Sequence, residues 1–250
     1  MTTQANHQTV SILGIPFINT SQTAFEQILY KRINDQQNTF VVTANPEIVM
    51  YAHEHPDYAN LIKTADFIVA DGIGIVIGAK LLETPVEERI TGYDLFESLL
   101  KWGDQQHKSA YFVGAKPQVI QKLQEIVRNR YPHLTIAGTH DGYFDDDNQI
   151  VNDIRRTSPD MVFVATGYPK QEAFIKKNRD ASNALWMGIG GSFDVITGTV
   201  KRAPITWQKI HLEWLYRVVK EPARIGRLLV LPKYLLKIIK QRYSKSLTGK

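Results

Sequence analysis

The sequence predicts an α/β protein in which helices cover both faces of a mostly parallel sheet, with a basic helical appendage at the C-terminal end. Three features of the chain support this prediction. Short apolar runs alternate with segments of helical length, as expected of strands that are buried on both faces. Glycine and small polar residues follow these runs. Beyond about Val200, the pattern changes to amphipathic helices rich in lysine and arginine.

Six apolar runs predict the strands, because they are short, rich in β-branched and aromatic residues, and bounded by turn residues. They are Phe40–Thr43, Phe67–Ala70, Ala110–Val113, Thr135–Ala137, Met161–Ala165 and Leu185–Ile189. Helices are predicted at Ser21–Arg32, Pro46–His53, Ile73–Leu82, Asp94–Lys101, Pro117–Arg130, Ile150–Arg156 and Pro169–Asn178. This order of elements indicates a Rossmann-like architecture.

The distribution of charge separates two regions of the chain. The 250 residues carry a formal net charge of +5. Residues 1–200 hold 17 lysines and arginines against 23 acids, a net charge of −6, whereas residues 201–250 hold 13 against two, a net charge of +11. Such a basic tail indicates nucleic acid or an anionic membrane as its partner. We therefore treat residues 1–200 and 201–250 as separate domains.

Cysteine content and hydropathy predict the compartment. The absence of cysteine excludes a disulfide scaffold, a thiolate metal site and a cysteine nucleophile, and it fits a reducing compartment. The polar N-terminus lacks the basic and apolar regions of a signal peptide. No apolar stretch reaches the roughly 18 residues of a spanning helix. We expect a cytoplasmic protein whose attachment to a membrane is peripheral.

Residues 201–250 predict three helices, Trp207–Lys220, Ala223–Leu231 and Lys233–Tyr243, separated by Pro222 and Pro232. The last of them has an apolar stripe of Leu235, Leu236, Ile238 and Ile239. A separate basic face holds Lys233, Lys237 and Lys240. This pattern favours an interfacial helix on an anionic membrane. A helix packed on the body of the protein (residues 1–200) with its lysines in solvent would have the same pattern.

The loops that follow the predicted strands are the expected binding site, because ligands of open α/β sheets bind outside the carboxyl ends of the strands. Six such loops are rich in glycine and small polar residues: Thr43–Pro46, Asp71–Gly74, Gly114, Gly138–Gly142, Gly167–Pro169 and Gly190–Ser192.

The glycines of Gly72–Gly78 do not predict a dinucleotide site. Their spacing is one residue off the Rossmann fingerprint, and Asp71 would place a negative charge where a phosphate approaches. Asp71 itself has two interpretations, which the spacing leaves open. It is either a general base at the end of a strand or the N-cap of the helix that follows.

Metal sites are weakly indicated. Asp145–Asp147 contains the D-x-D pattern by which many sugar transferases hold a divalent metal, but acids placed before a helix also stabilise its first turn, and we favour that interpretation. His53 and His55 are too weak a signal for zinc. We expect neither a metal ion nor another cofactor.

Several short sequence motifs that occur in order along the chain resemble those of the WecG/TagA/CpsF family of bacterial glycosyltransferases. The resemblance covers residues 10 to 230. It is carried by Thr43–Glu47, Ala70–Gly74, Arg89–Asp94, Asp141–Phe144, Tyr168–Glu172, Gly188–Asp194, Arg202–Pro204 and Leu212–Arg217. Leu212–Arg217 and Glu221–Arg224 resemble the teichoic-acid branch most closely. That branch transfers N-acetylmannosamine from UDP-N-acetylmannosamine to the 4-hydroxyl of N-acetylglucosamine on undecaprenyl diphosphate.

The resemblance also implies roles for individual residues. Asp71 matches the family's proposed base, and Thr43 would act beside it. Arg217, Arg224 and Arg227 match arginines proposed to hold the lipid diphosphate, and guanidinium groups suit its oxygens. Residues 1–200 would then be the catalytic domain and 201–250 its membrane-docking appendage. The expected substrate-binding residues are Asn45, Arg89, Asp94, Tyr143, Gln171, Gly190, Gly191 and Asp194.

Other functions stay open at this point. The same fold could use a different donor, such as a mannosaminuronic acid or glucose nucleotide. A non-catalytic module that binds nucleic acid or membrane through the basic tail is a more remote alternative, and we expect no nucleic-acid partner. The apolar surface of the tail could also pack between subunits of a homo-oligomer.

Overall fold

The computed structural model of the chain describes residues 7–204, 206–207, 213, 215–216 and 230–248. Within these residues, a short hairpin precedes a larger sheet. The strands are β1 (Thr9–Ile12), β2 (Ile15–Ile18), β3 (Thr39–Ala44), β4 (Phe67–Ala70), β5 (Ser109–Gly114), β6 (Thr135–His140), β7 (Met161–Ala165) and β8 (Leu185–Gly188). The larger sheet has the order β4-β3-β8-β7-β5-β6, and all its neighbours are parallel. The six predicted strands and the α/β class are confirmed.

The helices of the described residues include all seven that the body sequence predicts. They are α1 (Gln22–Asn34), α2 (Pro46–Glu54), α3 (Pro56–Ile62), α4 (Ile73–Leu81), α5 (Gly92–Gln105), α6 (Pro117–Arg130), α7 (Asn148–Thr157), α8 (Lys170–Asn178), α9 (Ser192–Ile196) and α10 (Val230–Thr248). The short helices α3 and α9 were not predicted.

Side chains alternate across the sheet and build a core on each face. Val42 and Trp186 point into a core shared with α2, α3, α4, α7 and α8. Their neighbours Val41 and Met187 point into a second core with α1, α5, α6 and α9. The adjacent strands β3 and β8 are therefore followed by helices on opposite faces, α2 and α9. Such a switch point opens a crevice at the carboxyl ends of the strands.

The β1–β2 hairpin is not among the elements that the sequence predicts. Its strands pair antiparallel from Thr9 with Ile18 to Ile12 with Ile15. Leu13 and Gly14 form the turn with φ of 48° and 79°, which is the left-handed pair that a two-residue hairpin turn requires. A leucine at the first of these positions gives no turn signal, because non-glycine residues rarely adopt positive φ.

Helix α10 confirms the predicted helix at Lys233–Tyr243, but the predicted break at Pro232 is wrong. Pro232 is the third residue of α10, in the first turn, where backbone N–H groups have no partner within the helix. Tyr234 and Ile238 are fully buried against the body. Most of the predicted helices Trp207–Lys220 and Ala223–Leu231 lies outside the described residues.

Candidate active site

A cleft of about 900 Å³ opens at the carboxyl ends of β3, β4 and β8. This volume is in the usual range of small-molecule sites. The described lining includes Thr43, Asn45, Glu47, Asp71, Gly72, Ile77, Arg89, Gly92, Tyr93, Tyr168, Gln171, Gly190, Gly191, Asp194, Arg202, Glu213, Leu215, Leu231, Tyr234 and Leu235. The cleft is thus polar where the strand-end loops meet and apolar towards α4 and α10.

The fold brings most of the predicted site residues together in this cleft. Eight of them line it: Thr43, Asn45, Asp71, Arg89, Gln171, Gly190, Gly191 and Asp194. Asp94 and Tyr143 are not among the described lining residues, and Tyr143 is 69% exposed on the loop after β6. The three arginines predicted to bind the acceptor diphosphate, Arg217, Arg224 and Arg227, lie outside the described residues.

Asp71 follows β4 directly and faces the start of α5. Its Oδ2 accepts a hydrogen bond from the Gly92 N–H at 3.3 Å. The N-cap of α4 is Gly72, at φ 107° and with no side-chain cap bond, so the interpretation of Asp71 as the N-cap of this helix is wrong. Its carboxylate instead lies on the cleft, next to the residues that the strand ends contribute.

Thr43 and Asn45 fix the end of β3. The buried Thr43 hydroxyl donates to the carbonyl of Gly188 at 3.1 Å and so ties β3 to β8. The Asn45 side-chain oxygen accepts from the Ile48 N–H at 3.0 Å and caps α2. With the oxygen engaged, Asn45 presents its side-chain NH₂ as the group that can donate to a ligand.

Gln171 supports the loop after β8. Its Oε1 accepts from the Gly190 N–H at 2.9 Å, and its Nε2 donates to Glu172 Oε1 at 2.7 Å. Glu172 is 1% exposed, and burial raises the pKa of its carboxyl above the ordinary value of 4.5. The sequence gives no signal for Glu172 as a site residue, because an acid in the first turn of a helix is usually a partner of the helix dipole.

Two arginines supply positive charge at the cleft. Arg89 Nη2 lies 3.4 Å from Glu213 Oε1. Arg202 Nη2 lies 2.6 Å from Asp94 Oδ1, and its guanidinium stacks over the Tyr93 ring at 4.5 Å. Asp94 therefore contacts a cleft arginine, a relationship across 108 residues that spacing along the chain does not indicate. Guanidinium groups in this position suit phosphate oxygens.

Packing accounts for the glycine pattern at Gly72–Gly78. A Cβ at Gly74 would lie 2.5 Å from Pro46 Cγ, and a Cβ at Gly78 would lie 2.2 Å from the Tyr234 hydroxyl. These glycines therefore let α2 and α10 approach α4 closely. Close packing of the helices, rather than dinucleotide binding, explains why glycine occupies these positions.

The aspartates of Asp145–Asp147 directly precede α7. Asp146 Oδ1 accepts from the Asn148 N–H at 3.1 Å. Asp147 binds Lys177 Nζ at 2.8 Å, and this hydrogen bond holds the pKa of its carboxyl below the ordinary range. Among the residues that the structure describes, no cluster of three His, Cys, Asp or Glu could hold a metal ion. The run lies outside the lining of the cleft.

The fold and the site define an α/β protein with a ligand cleft at a switch point of its sheet, where a carboxylate, amide groups and arginines converge. Similarity to known proteins defines it further. The chain belongs to the glycosyl transferase WecG/TagA/CpsF family, whose family model matches residues 10–248. The resemblance found in the sequence is thereby confirmed.

Named relatives match nearly the whole chain. A protein of Bacillus spizizenii is 45% identical over 93% of this chain and 91% of its own length. One of Bacillus subtilis is 41% identical over 95% and 94%, and one of Staphylococcus aureus strain MW2 is 38% identical over 96% and 95%. Each is named N-acetylglucosaminyldiphosphoundecaprenol N-acetyl-beta-D-mannosaminyltransferase.

Hydropathy of the helices bears on any membrane contact. In the part of the chain that the structure describes, no helix combines the length and the apolar character needed to cross a bilayer.

Proposed function

We propose that the protein transfers N-acetylmannosamine from UDP-N-acetylmannosamine to the 4-hydroxyl of N-acetylglucosamine on undecaprenyl diphosphate. The product would be a β-1,4-linked disaccharide lipid, and the reaction would be the first committed step of the linkage unit of wall teichoic acid. The names of relatives that are 38–45% identical along nearly the whole chain support this choice of substrates. The proposed chemistry rests on Asp71, whose carboxylate lies on the wall of the cleft.

The proposed reaction is a single displacement. Asp71 takes the proton of the acceptor 4-hydroxyl as its oxygen bonds to the anomeric carbon. The bond from that carbon to the UDP oxygen breaks at the same time, and UDP leaves with the electron pair. Attack from the side opposite UDP inverts the α-linked donor to a β product. The Gly92 N–H, which donates to Asp71 Oδ2, keeps the carboxylate oriented towards the acceptor.

The strand-end residues would hold the donor. The open backbone at Gly190 and Gly191, supported by Gln171, would receive the nucleotide sugar together with Asp194. Thr43 and Asn45 would contact sugar hydroxyls. Arg89 would lie against the diphosphate, where its charge stabilises the departing group. Asp94 would act through Arg202, and a direct contact of Tyr143 with substrate stays a prediction.

The acceptor diphosphate would be bound by Arg217, Arg224 and Arg227 of the appendage, which is proposed to dock on the inner face of the plasma membrane. Helix α10 supports this arrangement, because its apolar residues divide into two stripes. Tyr234 and Ile238 are buried against the body, whereas Leu236, Ile239 and Tyr243 are 68%, 42% and 68% exposed. Exposed lysines flank this second stripe, as in helices that lie in an anionic interface.

A donor panel tests the proposal. The purified enzyme is given N-acetylglucosaminyl-diphosphoundecaprenol with UDP-N-acetylmannosamine, UDP-N-acetylmannosaminuronic acid or UDP-glucose, and UDP release is measured. We expect release with the first donor to exceed that with the others by at least about tenfold, and to depend on the acceptor. Preference for another donor would replace the substrate assignment while leaving the class of reaction. No acceptor-dependent release with any donor would overturn the proposal.

A further inference from the structure

No neighbouring group fills the space beside Gly190 and Gly191. A Cβ at either residue would meet nothing within 4 Å. Hydrogen bonds hold the loop instead. Ser192 Oγ donates to the Ile189 carbonyl at 2.7 Å, and the Gly190 N–H donates to Gln171 Oε1 at 2.9 Å. The position of the Gln171 carboxamide therefore helps to set the position of this backbone in the cleft.

A carboxamide can present either its oxygen or its NH₂ to a given neighbour, since a half-turn exchanges them. The Gly190 N–H needs the carboxamide oxygen as its acceptor. Glu172 enforces that choice, because its Oε1 accepts from Gln171 Nε2 at 2.7 Å. With the amide reversed, a donor would face the Gly190 N–H and an oxygen would face the carboxyl group. Gln171 and Glu172 are 3% and 1% exposed, so water cannot compensate for the lost hydrogen bonds.

The far side of the Glu172 carboxyl faces Tyr58. Its Oε2 and the Tyr58 hydroxyl of α3 are buried near each other, in a geometry looser than a standard hydrogen bond. Burial raises the pKa of the Glu172 carboxyl, and the neighbouring donors Gln171 and Tyr58 oppose that rise. A chain of polar groups thus runs from Tyr58 beneath the site to the Gly190 backbone on the cleft.

We propose that Glu172 is a positioning residue for donor binding. It fixes the orientation of the Gln171 carboxamide, and through it the Gly190–Gly191 backbone that would receive the diphosphate of the nucleotide sugar. Glu172 does not touch the substrate in this arrangement. The proposal deepens the proposed function and rests on it only for the identity of the ligand.

Three variants of one side chain test this role. Glu172→Gln keeps an oxygen that accepts from Gln171, Glu172→Asp withdraws it by one methylene, and Glu172→Leu removes it. Ile175→Ala is the matched control, because Ile175 is a fully buried residue of α8 that lowers stability when truncated and whose apolar side chain makes no hydrogen bond to the Gln171 carboxamide. The measurements are hydrogen exchange at the Gly190 amide, the Kd of UDP by calorimetry, KM and kcat for the donor, and thermal unfolding.

We expect Glu172→Leu to accelerate exchange at Gly190 and to raise both the Kd of UDP and the donor KM by roughly 3- to 10-fold, the effect of one hydrogen bond. The kcat should change less. Glu172→Gln should restore wild-type values, and Glu172→Asp should be intermediate, which keeps the test available if the leucine variant does not fold. Unchanged exchange in the Leu or Asp variant, or equal effects in Ile175→Ala, would overturn the proposal. Exchange and UDP binding do not require sugar transfer, so a failed donor panel would be a separate result.

Discussion

The backbone N–H of Gly92 donates to Oδ2 of Asp71 at 3.3 Å, which joins the end of β4 to the first residue of α5. Gly92 also lies close to Thr43, since a Cβ on Gly92 would be 3.1 Å from the threonine hydroxyl. A side chain at position 92 would therefore displace the Thr43 side chain. Through this one glycine, the predicted base and the strand-end threonine share a fixed geometry.

Replacement of Asp71 by asparagine tests its role as the base. The side chain keeps its shape and an oxygen that can accept from Gly92, but it cannot take a proton. We expect kcat to fall by about 10²- to 10⁴-fold, the usual contribution of general-base catalysis. The Kd of UDP, measured by calorimetry, should stay near the wild-type value. Turnover within a few-fold of wild type would remove Asp71 from the catalytic step.

Chelation tests whether a metal takes part. We expect EDTA to leave UDP release unchanged, because the cleft offers arginines for the diphosphate, and Asp147 is engaged with Lys177 and Asn178. The assay compares the dialysed enzyme with and without EDTA, and then with added Mg²⁺ or Mn²⁺. Strong inhibition that either metal reverses would restore the metal-binding interpretation of Asp145–Asp147.

Charge reversal on α10 tests membrane docking. Lys237→Glu/Lys240→Glu alters two exposed lysines beside the exposed apolar stripe. Each lysine near an anionic surface contributes about 1 kcal/mol, so vesicle binding should weaken by at least roughly 30-fold. The measurement is flotation with phosphatidylglycerol vesicles at two salt concentrations.

A matched control separates docking from net charge. Lys116→Glu/Lys122→Glu makes the same change on two exposed lysines at α6, which packs on the opposite face of the sheet from α10. We expect this variant to bind vesicles like the wild type at high salt and slightly less at low salt. Equal loss of binding in the two double variants would show that overall charge, rather than α10, attracts the membrane.

The sequence could predict the sheet and the position of the site, because both depend on local patterns. Apolar runs marked the strands, and the rule for parallel sheets brought Thr43, Asp71 and Gly190 to one edge. The partners of Asp94 and Glu172 could not be predicted in this way. Arg202 meets Asp94 across 108 residues, and the burial of Glu172 arises where α3 and α8 pack, so neither leaves a signal in nearby residues.

The raised pKa of Glu172 predicts how stability varies with pH. Burial is the main cause of the raised value, and the polar side chains of Gln171 and Tyr58 beside it act in the opposite direction. The unfolded chain releases this proton near pH 4.5, whereas the folded protein releases it at higher pH. The contribution of the acid is therefore complete below pH 4.5 and is lost as the pH rises through the folded value.

Glu172→Gln should remove that dependence. We expect the free energy of unfolding of this variant, relative to that of the wild type, to increase between pH 4.5 and 7. The gain should be about 1.4 kcal/mol for each pH unit that separates the pKa of Glu172 in the folded chain from that in the unfolded chain. Urea unfolding at several pH values measures the difference. A difference that stays constant over this range would mean that Glu172 titrates alike in the folded and unfolded chain.

The contact between Gly78 and Tyr234 predicts how α10 is held on the body. Gly78→Ala should favour α4 itself, since alanine is better than glycine in a helix interior by about 1 kcal/mol. The new Cβ would lie 2.2 Å from the Tyr234 hydroxyl, so the Tyr234 ring has to shift, which weakens the packing of α10 on α4. We expect faster proteolysis within α10 and little change in the unfolding temperature of the body. Wild-type proteolysis of Gly78→Ala would contradict this docking.

Tyr234→Phe completes a double-mutant cycle. The Tyr234 hydroxyl is buried and has no partner among the described residues, and an unpartnered hydroxyl costs about 1–3 kcal/mol. Its removal should leave α10 docked and stability equal or higher. In the double variant the closest contact is gone, but ring carbons of residue 234 would still lie 3.0 and 3.2 Å from the new Cβ. Proteolysis should therefore be slower than in Gly78→Ala alone, yet faster than in Tyr234→Phe, and purely additive effects would mean that the two residues do not meet.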